Sequence, residues 1–357
     1  MYHCNGLVKM NEKGKLEVSI PYKRVIILLI IGVLFLAVIY NLFKSLKESF
    51  QLILKINVPI YILAIVVSVS AFHMYVVSWI FLLRALNVKI KLKDIVSLVW
   101  TSYFFDAMVP TASVSGEAVR AYLTAKKHNV KWGDAISSVV AHRTMAIISF
   151  TAMTAASFIL LYLMYQLSMR ILVLAGVAVS LSLIGLVALL YFSLKPETIN
   201  TFMRGILKIA GKISKKIAKK LEEAEPKIVK TVYEFSGAMK LLINHKKVMF
   251  LTFLTSVLWW LGNAFTGYVI FLSLGYKISF ILVLFIFTLT ILVRMIPIFV
   301  PGSMGLFELA TIALWSAVGV SSSVAAAVAL LNRNVWVVQV SIGLVAVIRE
   351  LRGLNKN

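Results

Sequence analysis

The sequence predicts an all-α, multi-pass membrane protein built as an inverted repeat, with three transmembrane helices and one re-entrant helical hairpin in each half. Three observations predict it. Apolar residues make up 61% of the 357 and charged residues only 14%, with mean hydropathy +0.93, whereas soluble domains sit near half apolar and a quarter charged. The apolar residues fall in runs long enough to cross about 30 Å of hydrocarbon, which takes about 20 helical residues. Two broken, charged segments also recur with matching spacing: residues 110–117 read PTASVSGE and residues 301–308 read PGSMGLFE. Arg143 follows the first and Arg333 the second, with one residue of slippage between the two intervals.

In order, residues 1–24 form a polar cytoplasmic segment ending in Tyr22, Lys23 and Arg24, without the short apolar core and small-residue cleavage site of a removable signal peptide. The first repeat occupies 25–165, with spans at 25–43, 57–83 and 135–165. Between the last two, residues 95–124 are apolar but interrupted at Asp106, Pro110 and Gly116. Each limb of about 15 residues reaches only about 22 Å, too short to cross, which predicts a re-entrant hairpin. The second repeat, 171–349, has spans at 171–194, 248–274 and 324–348 and a second hairpin over 278–320, its turn near Pro297 and Gly302. Its limbs are longer, so re-entrant and fully spanning forms both stay open. Residues 350–357 are the tail.

The net charge of +23 does not indicate nucleic-acid binding, because the basic residues sit between apolar runs and do not line one polar face. They concentrate in the N-terminal segment, the linkers 84–93 and 126–131, the loop 195–247 and the tail, which places both termini on the cytoplasmic side of the cell membrane. The segment 44–57, with three lysines on the other side, is a mild exception. In 205–225, Ile206, Ile209, Ile213 and Ile217 alternate with lysines at helical spacing, a basic amphipathic helix suited to anionic headgroups. The single cysteine, Cys4, rules out an intrachain disulfide and a cysteine-based metal site.

The chemistry lies in charges inside the apolar segments: Asp106, Glu117 and Glu308, with Arg120, Arg143, Arg294 and Arg333. At about 2.5–3.5 kcal/mol each at the bilayer centre, seven charges facing lipid would cost roughly 20 kcal/mol, above typical folding stability. They must face one another or a wet cavity. Glu117 and Arg120, three apart, can pair along one helix. Helices starting after Pro110 and Pro301 would aim free N–H groups at mid-membrane, and such ends bind anions. Gly116, Gly302 and Gly305 permit close backbone approach, and Ser113, Ser115 and Ser303 add hydroxyls. Glu308 can also serve as a first-turn carboxylate with Gly305 as N-cap. The expected site is therefore a cationic pocket between two helix starts, with the four arginines as phosphate ligands, Asp106, Glu117 and Glu308 as candidate coupling carboxylates, and Pro110, Pro297, Pro301 and Gly302 as the breaks.

PTASVSGEAVR and IPIFVPGSMGLFE resemble the two signature stretches of the lysylphosphatidylglycerol synthase transmembrane family, the flippase-like domains of bacterial peptide-resistance factors and many archaeal membrane proteins. The resemblance covers the chain from about residue 25 and implies a protein that moves a lipid between leaflets, an aminoacylated phospholipid in some members and a proposed polyprenyl-linked sugar in others. It carries over Pro110, Gly116, Glu117, Pro301, Gly302, Gly305 and Glu308; Ser115 and Ser303 stand where the family often has a second glycine. The soluble aminoacyl-transferase domain of some members is absent from this sequence, so lysyl transfer is not implied. The expected function is translocation of an anionic phospholipid or polyprenyl-phosphate-linked lipid, with no enzymatic step and no cofactor. Its partners are membrane lipids, and homo-oligomers stay open. The alternatives are an ion-coupled carrier of a small anionic solute and an integral membrane transferase. For the latter there is no metal cluster or nucleotide-binding glycine loop, and the one histidine beside an arginine, His142, reads as a hydrogen-bonding group.

Overall fold

The computed structural model describes residues 9–10, 16–17, 45–109, 114–164, 176, 180, 229, 233, 236–294 and 301–354. The expected span 25–43, the span 171–194 apart from residues 176 and 180, the amphipathic segment 205–225, and Pro110, Ser113 and Pro297 lie outside these residues, as do the side chains of Arg294 and Pro301. A two-residue ribbon pairs β1 (Lys9–Met10) with β2 (Leu16–Glu17). Everything else described is helical or a connection between helices.

A short helix α1 (Ser45–Leu54) precedes α2 (Val58–Ala85). Asn57 caps α2 by accepting from the Ile60 amide at 3.2 Å, and Pro59 sits in the first turn, where its missing N–H costs nothing. Next come α3 (Leu92–Met108), α4 (Val114–Lys127) and α5 (Trp132–Met164). After residues 236–244, also helical, the chain runs through α6 (Lys246–Ser273), α7 (Phe280–Arg294), a 3-10 turn at Pro301–Ser303, α8 (Leu306–Ala317) and α9 (Ser322–Leu354). Among the described residues, four helices, α2, α5, α6 and α9, are long and apolar enough to cross a bilayer. The protein is a membrane-embedded, multi-pass helical protein. Large apolar side chains stay exposed along α2 (Ile62, Leu63, Val66) and α6 (Phe250, Leu254, Leu258), a surface suited to lipid.

Among the described residues, the helices from α2 to α5 and from α6 to α9 follow in a similar order. Helices α2 and α6 are both 28 residues long, and α5 and α9 both 33. Between them lie pairs of short helices, 17 and 14 residues in the first half, 15 and 12 in the second. At 1.5 Å per residue the short helices extend about 18–26 Å, less than the hydrocarbon thickness. The connections match too. Asn87, Asn129, Gly275 and Gly319 each stand two residues past a helix end with positive φ, so the last turn closes on a residue type that tolerates the left-handed region.

Packing exchanges elements between the halves. Helix α2 runs along α6, α3 packs on α9, and α7 packs on α5. Small residues allow the close approaches: a Cβ on Gly262 of α6 would sit 2.5 Å from that of Ala71 on α2, and one on Gly343 of α9 would sit 2.9 Å from the Trp100 carbonyl on α3. Among the described residues three apolar clusters result, two of them large. One joins Phe72, Trp79, Leu98 and Trp100 with Val139 around the first short-helix pair, and the other joins Phe271, Val283, Phe285, Ile312 and Trp315 around the second. Polar pins tie them across the molecule. Gln339 of α9 donates to Ser68 Oγ at 2.9 Å and accepts from Tyr103 at 2.8 Å, and Tyr61 of α2 donates to the Leu331 carbonyl at 3.1 Å.

Candidate substrate site at two broken helices

The site is built on the starts of α4 and α8. Val109, extended at φ −107° and ψ 119°, ends α3, as expected of a residue before proline. When the chain turns back, Gly116 lies so close to α3 that a Cβ there would overlap the Ser102 carbonyl and meet the Asp106 carboxyl. The approach is used: the Gly116 amide donates to Asp106 Oδ1 at 2.8 Å and Ser115 Oγ donates to the Phe105 carbonyl at 3.1 Å. Asp106 thus caps one of the free first-turn amides of α4. At the second break, Gly302 and Gly305 take φ of 59° and 80°, and the left-handed Ser303 lies between them. The Gly305 amide donates to Glu308 Oε2 at 2.7 Å, so Glu308 caps its own helix as expected for a first-turn carboxylate.

Each short helix then presents a glutamate to the long helix that follows. Glu308 accepts from Arg333 Nε at 2.5 Å, and Arg333 Nη1 donates to the Gly302 carbonyl at 2.9 Å. Glu117 lies 3.4 Å from Arg143 Nη1, an ion pair without a hydrogen bond. The correspondence is positional as well: Arg143 is the twelfth residue of α5, which starts at Trp132, and Arg333 the twelfth of α9, which starts at Ser322. The intrahelical pair open to Glu117 and Arg120 is not made. Residues three apart lie roughly 60° apart around a helix, and here the two side chains diverge. Glu117 meets α5 at Arg143, whereas Arg120 is drawn between α2 and α5.

Arg120 is fully buried. Its guanidinium lies 4.8 Å from the Trp79 ring centre and 5.9 Å from that of Tyr75, and Nη1 is 3.1 Å from His142 Nδ1. Arginine can only donate, so Nδ1 accepts and the imidazole is neutral with its proton on Nε2. That proton points to Ser78 Oγ at 2.5 Å, and Ser78 in turn donates to the Tyr75 carbonyl at 2.8 Å. His142 is thus a hydrogen-bonding group, with its donors and acceptors set in sequence by the cation beside it.

The two breaks adjoin. A Cβ on Gly302 would lie 2.8 Å from the Trp336 ring and 3.6 Å from the Ala107 carbonyl, so the second break rests against the end of α3 just ahead of the first. Trp336 also lies under Arg333, 4.7 Å from the ring centre to the guanidinium carbon. Sequence reasoning missed Trp79, Ser78 and Trp336. Trp336, one turn past Arg333, carried a local signal; Trp79 and Ser78 reach Arg120 and His142 from another helix, and no spacing marks that. Among the described residues no three His, Cys, Asp or Glu side chains gather as metal ligands.

At one rim, α9 ties down both limbs of the first short-helix pair. Arg349 bonds Asp94 at 2.8 Å and the Lys93 carbonyl at 3.1 Å, and Lys127 bonds the buried Glu350 at 2.8 Å. Beside them, burial holds the His128 imidazole below its ordinary range; Asp94 and Glu350 oppose this and Lys127 adds to it.

These features define a polytopic membrane protein with ionised groups buried at paired helix breaks. The chain belongs to the family of the lysylphosphatidylglycerol synthase TM region, whose model matches residues 25–343. It is 26% identical over 318 residues to a UPF0104 membrane protein of Pyrococcus horikoshii, covering 87% of this chain and 93% of that one. It is 28% identical over 338 residues to one from Methanocaldococcus jannaschii (92% and 96%), and 26% identical over 283 residues to one from Methanothermobacter thermautotrophicus (78% and 82%). No solved structure matches the chain significantly.

Proposed function

We propose that the protein is a lipid translocase of the cell membrane, moving an anionic phospholipid or polyprenyl-phosphate-linked lipid between leaflets. The observation that carries this is the duplicated Glu–Arg pair, one copy at each of two adjoining helix breaks. In this reading the halves are inverted repeats, the short-helix pairs are re-entrant, and both termini face the cytoplasm. Inverted repeats with broken helices at mid-membrane suit alternating exposure of one central site.

Glu117 and Glu308 hold Arg143 and Arg333 while no substrate is bound. An arriving headgroup phosphate displaces a carboxylate, and the released carboxylate reclaims its arginine when the lipid leaves. Arg120, Arg143, Arg294 and Arg333 supply the cationic lining, and the acyl or isoprenoid chains remain in the bilayer. Such an exchange keeps each arginine paired throughout, and the displaced carboxylate takes up a proton, so that no buried ion is left unpaired, the state that costs most. The break glycines and Ser115 and Ser303 line the approach.

The test is reconstitution into proteoliposomes carrying fluorescent phosphatidylglycerol, with outer-leaflet label destroyed by dithionite. The protein should accelerate leaflet exchange at least tenfold over protein-free vesicles. Uptake of soluble phosphate without leaflet exchange would instead make it a small-anion carrier.

A further inference from the structure

Arg120 carries donors that the paired breaks do not use. Of its nitrogens, Nη1 serves His142, while Nε and Nη2 have no hydrogen-bond partner although the side chain is fully buried. These two share one edge of the guanidinium and aim parallel N–H bonds the same way, the fork that grips a carboxylate or phosphate through two oxygens. No carboxylate oxygen of the described residues lies within 4.0 Å of it. In the other half Arg333 Nε holds Glu308 and Nη1 the Gly302 carbonyl, so that although Nη2 is also buried without a partner no two-pronged edge is left. The second half also lacks the equipment: Thr311 stands three residues past Glu308, as Arg120 does past Glu117, and Asn332 precedes Arg333 where His142 precedes Arg143. Thr311 satisfies itself, donating to the Phe307 carbonyl at 2.7 Å.

Buried donors without partners are uncommon and costly, and a buried cation more so. Two rigid supports hold this one in place, Trp79 against its face and His142 at its far end, the latter fixed through Ser78. The unpartnered edge is thereby preorganised, with little side-chain entropy left to lose when an anion arrives.

We propose that the Nε–Nη2 edge of Arg120 is a bidentate phosphate site present in the first half alone, and that the substrate phosphate docks there before it displaces Glu117. The assignment rests on the translocase reading for its place in a cycle, but the binding itself does not require transport. A free phosphate and a lipid headgroup offer the same oxygens.

The experiment is calorimetric titration of the full chain in detergent with inorganic phosphate and, separately, short-chain phosphatidylglycerol. Wild type should bind at least one probe; Arg120→Lys, which keeps the charge but loses the fork, should bind at least tenfold more weakly, and Arg120→Gln should show no binding. Preference for the lipid probe would identify the headgroup as the source, and equal binding would identify phosphate itself. Should the variants not fold, nitrogen-15 spectra of wild-type arginine side chains give the readout, with one solvent-protected Nε–H resonance moving on addition of probe. Unchanged affinity in Arg120→Lys and Arg120→Gln, or a protected resonance that no probe moves because water alone fills the edge, would overturn the proposal. Binding without leaflet exchange would leave this site standing and remove the translocase reading.

Discussion

The two halves carry the same Glu–Arg pair, and they lock it differently. In the second half the pair is tight and enclosed: 2.5 Å apart, with side-chain exposures of 6% for Glu308 and 16% for Arg333. Glu308 holds the Gly305 amide with its other oxygen, and Arg333 also holds the Gly302 carbonyl. In the first half the pair is 3.4 Å apart, with exposures of 19% and 30%. The reason is local. Asp106 has taken over capping of its short helix, through Gly116, so Glu117 is released from that duty. The same residues at the same offsets thus make a tight pair in one half and a looser, more readily exchanged pair in the other. The loose half is also the one with Arg120 and His142.

Breaking the tight pair should produce the largest effect. Arg333→Gln leaves Glu308 buried without its cation and should cost about 3–5 kcal/mol, read as a fall in detergent melting temperature. Arg143→Gln should cost about 1 kcal/mol or less, because its pair is longer and wetter. Equal losses would erase the contrast between the halves. Gly116→Ala sharpens it from the other side: the methyl group would collide with the Ser102 carbonyl, forcing α3 and α4 apart at a cost of about 1–3 kcal/mol. That variant should also lower leaflet exchange.

The smallest effect concerns the rim of the first half. His128 titrates below its ordinary range in the folded protein, so the unfolded chain takes up a proton first as pH falls. Its contribution to stability is complete above the unfolded value of about 6.5 and is lost as pH drops below it. Melting curves between pH 7.5 and 5 should therefore fall less steeply in His128→Asn than in wild type. Identical slopes would show that His128 has no part in the pH response.

Much of the fold was legible because membrane helices announce themselves by length and hydropathy. The expected spans 57–83, 135–165, 248–274 and 324–348 match α2, α5, α6 and α9 to within a few residues at most ends; α9 runs on to Leu354 because the charged Arg349, Glu350 and Arg352 stay helical at the rim. The breaks were legible because proline and glycine mark them. The recurrence of Glu and Arg at matching offsets was visible as well, but not its meaning, since sequence spacing reports neighbours on one helix while these pairs form between helices. For that reason the nearby Glu117 and Arg120 suggested a partnership the fold does not make. Trp79 and Ser78, which fix Arg120 and His142, lie about 40 to 60 residues upstream of them and share no repeat offset with them.

The central claim, that the buried pairs exchange partners with a lipid headgroup, is tested most directly by a four-member cycle at the second break: wild type, Glu308→Gln, Arg333→Gln and the double variant. Each is reconstituted and its leaflet exchange of labelled phosphatidylglycerol measured beside its melting temperature. Removing both charges relieves the unpaired ion, so the double variant should regain most of the stability lost in Arg333→Gln while its exchange stays at least tenfold below wild type. A double variant that is stable and also exchanges lipid at the wild-type rate would show the pair to be a brace between helices and nothing more.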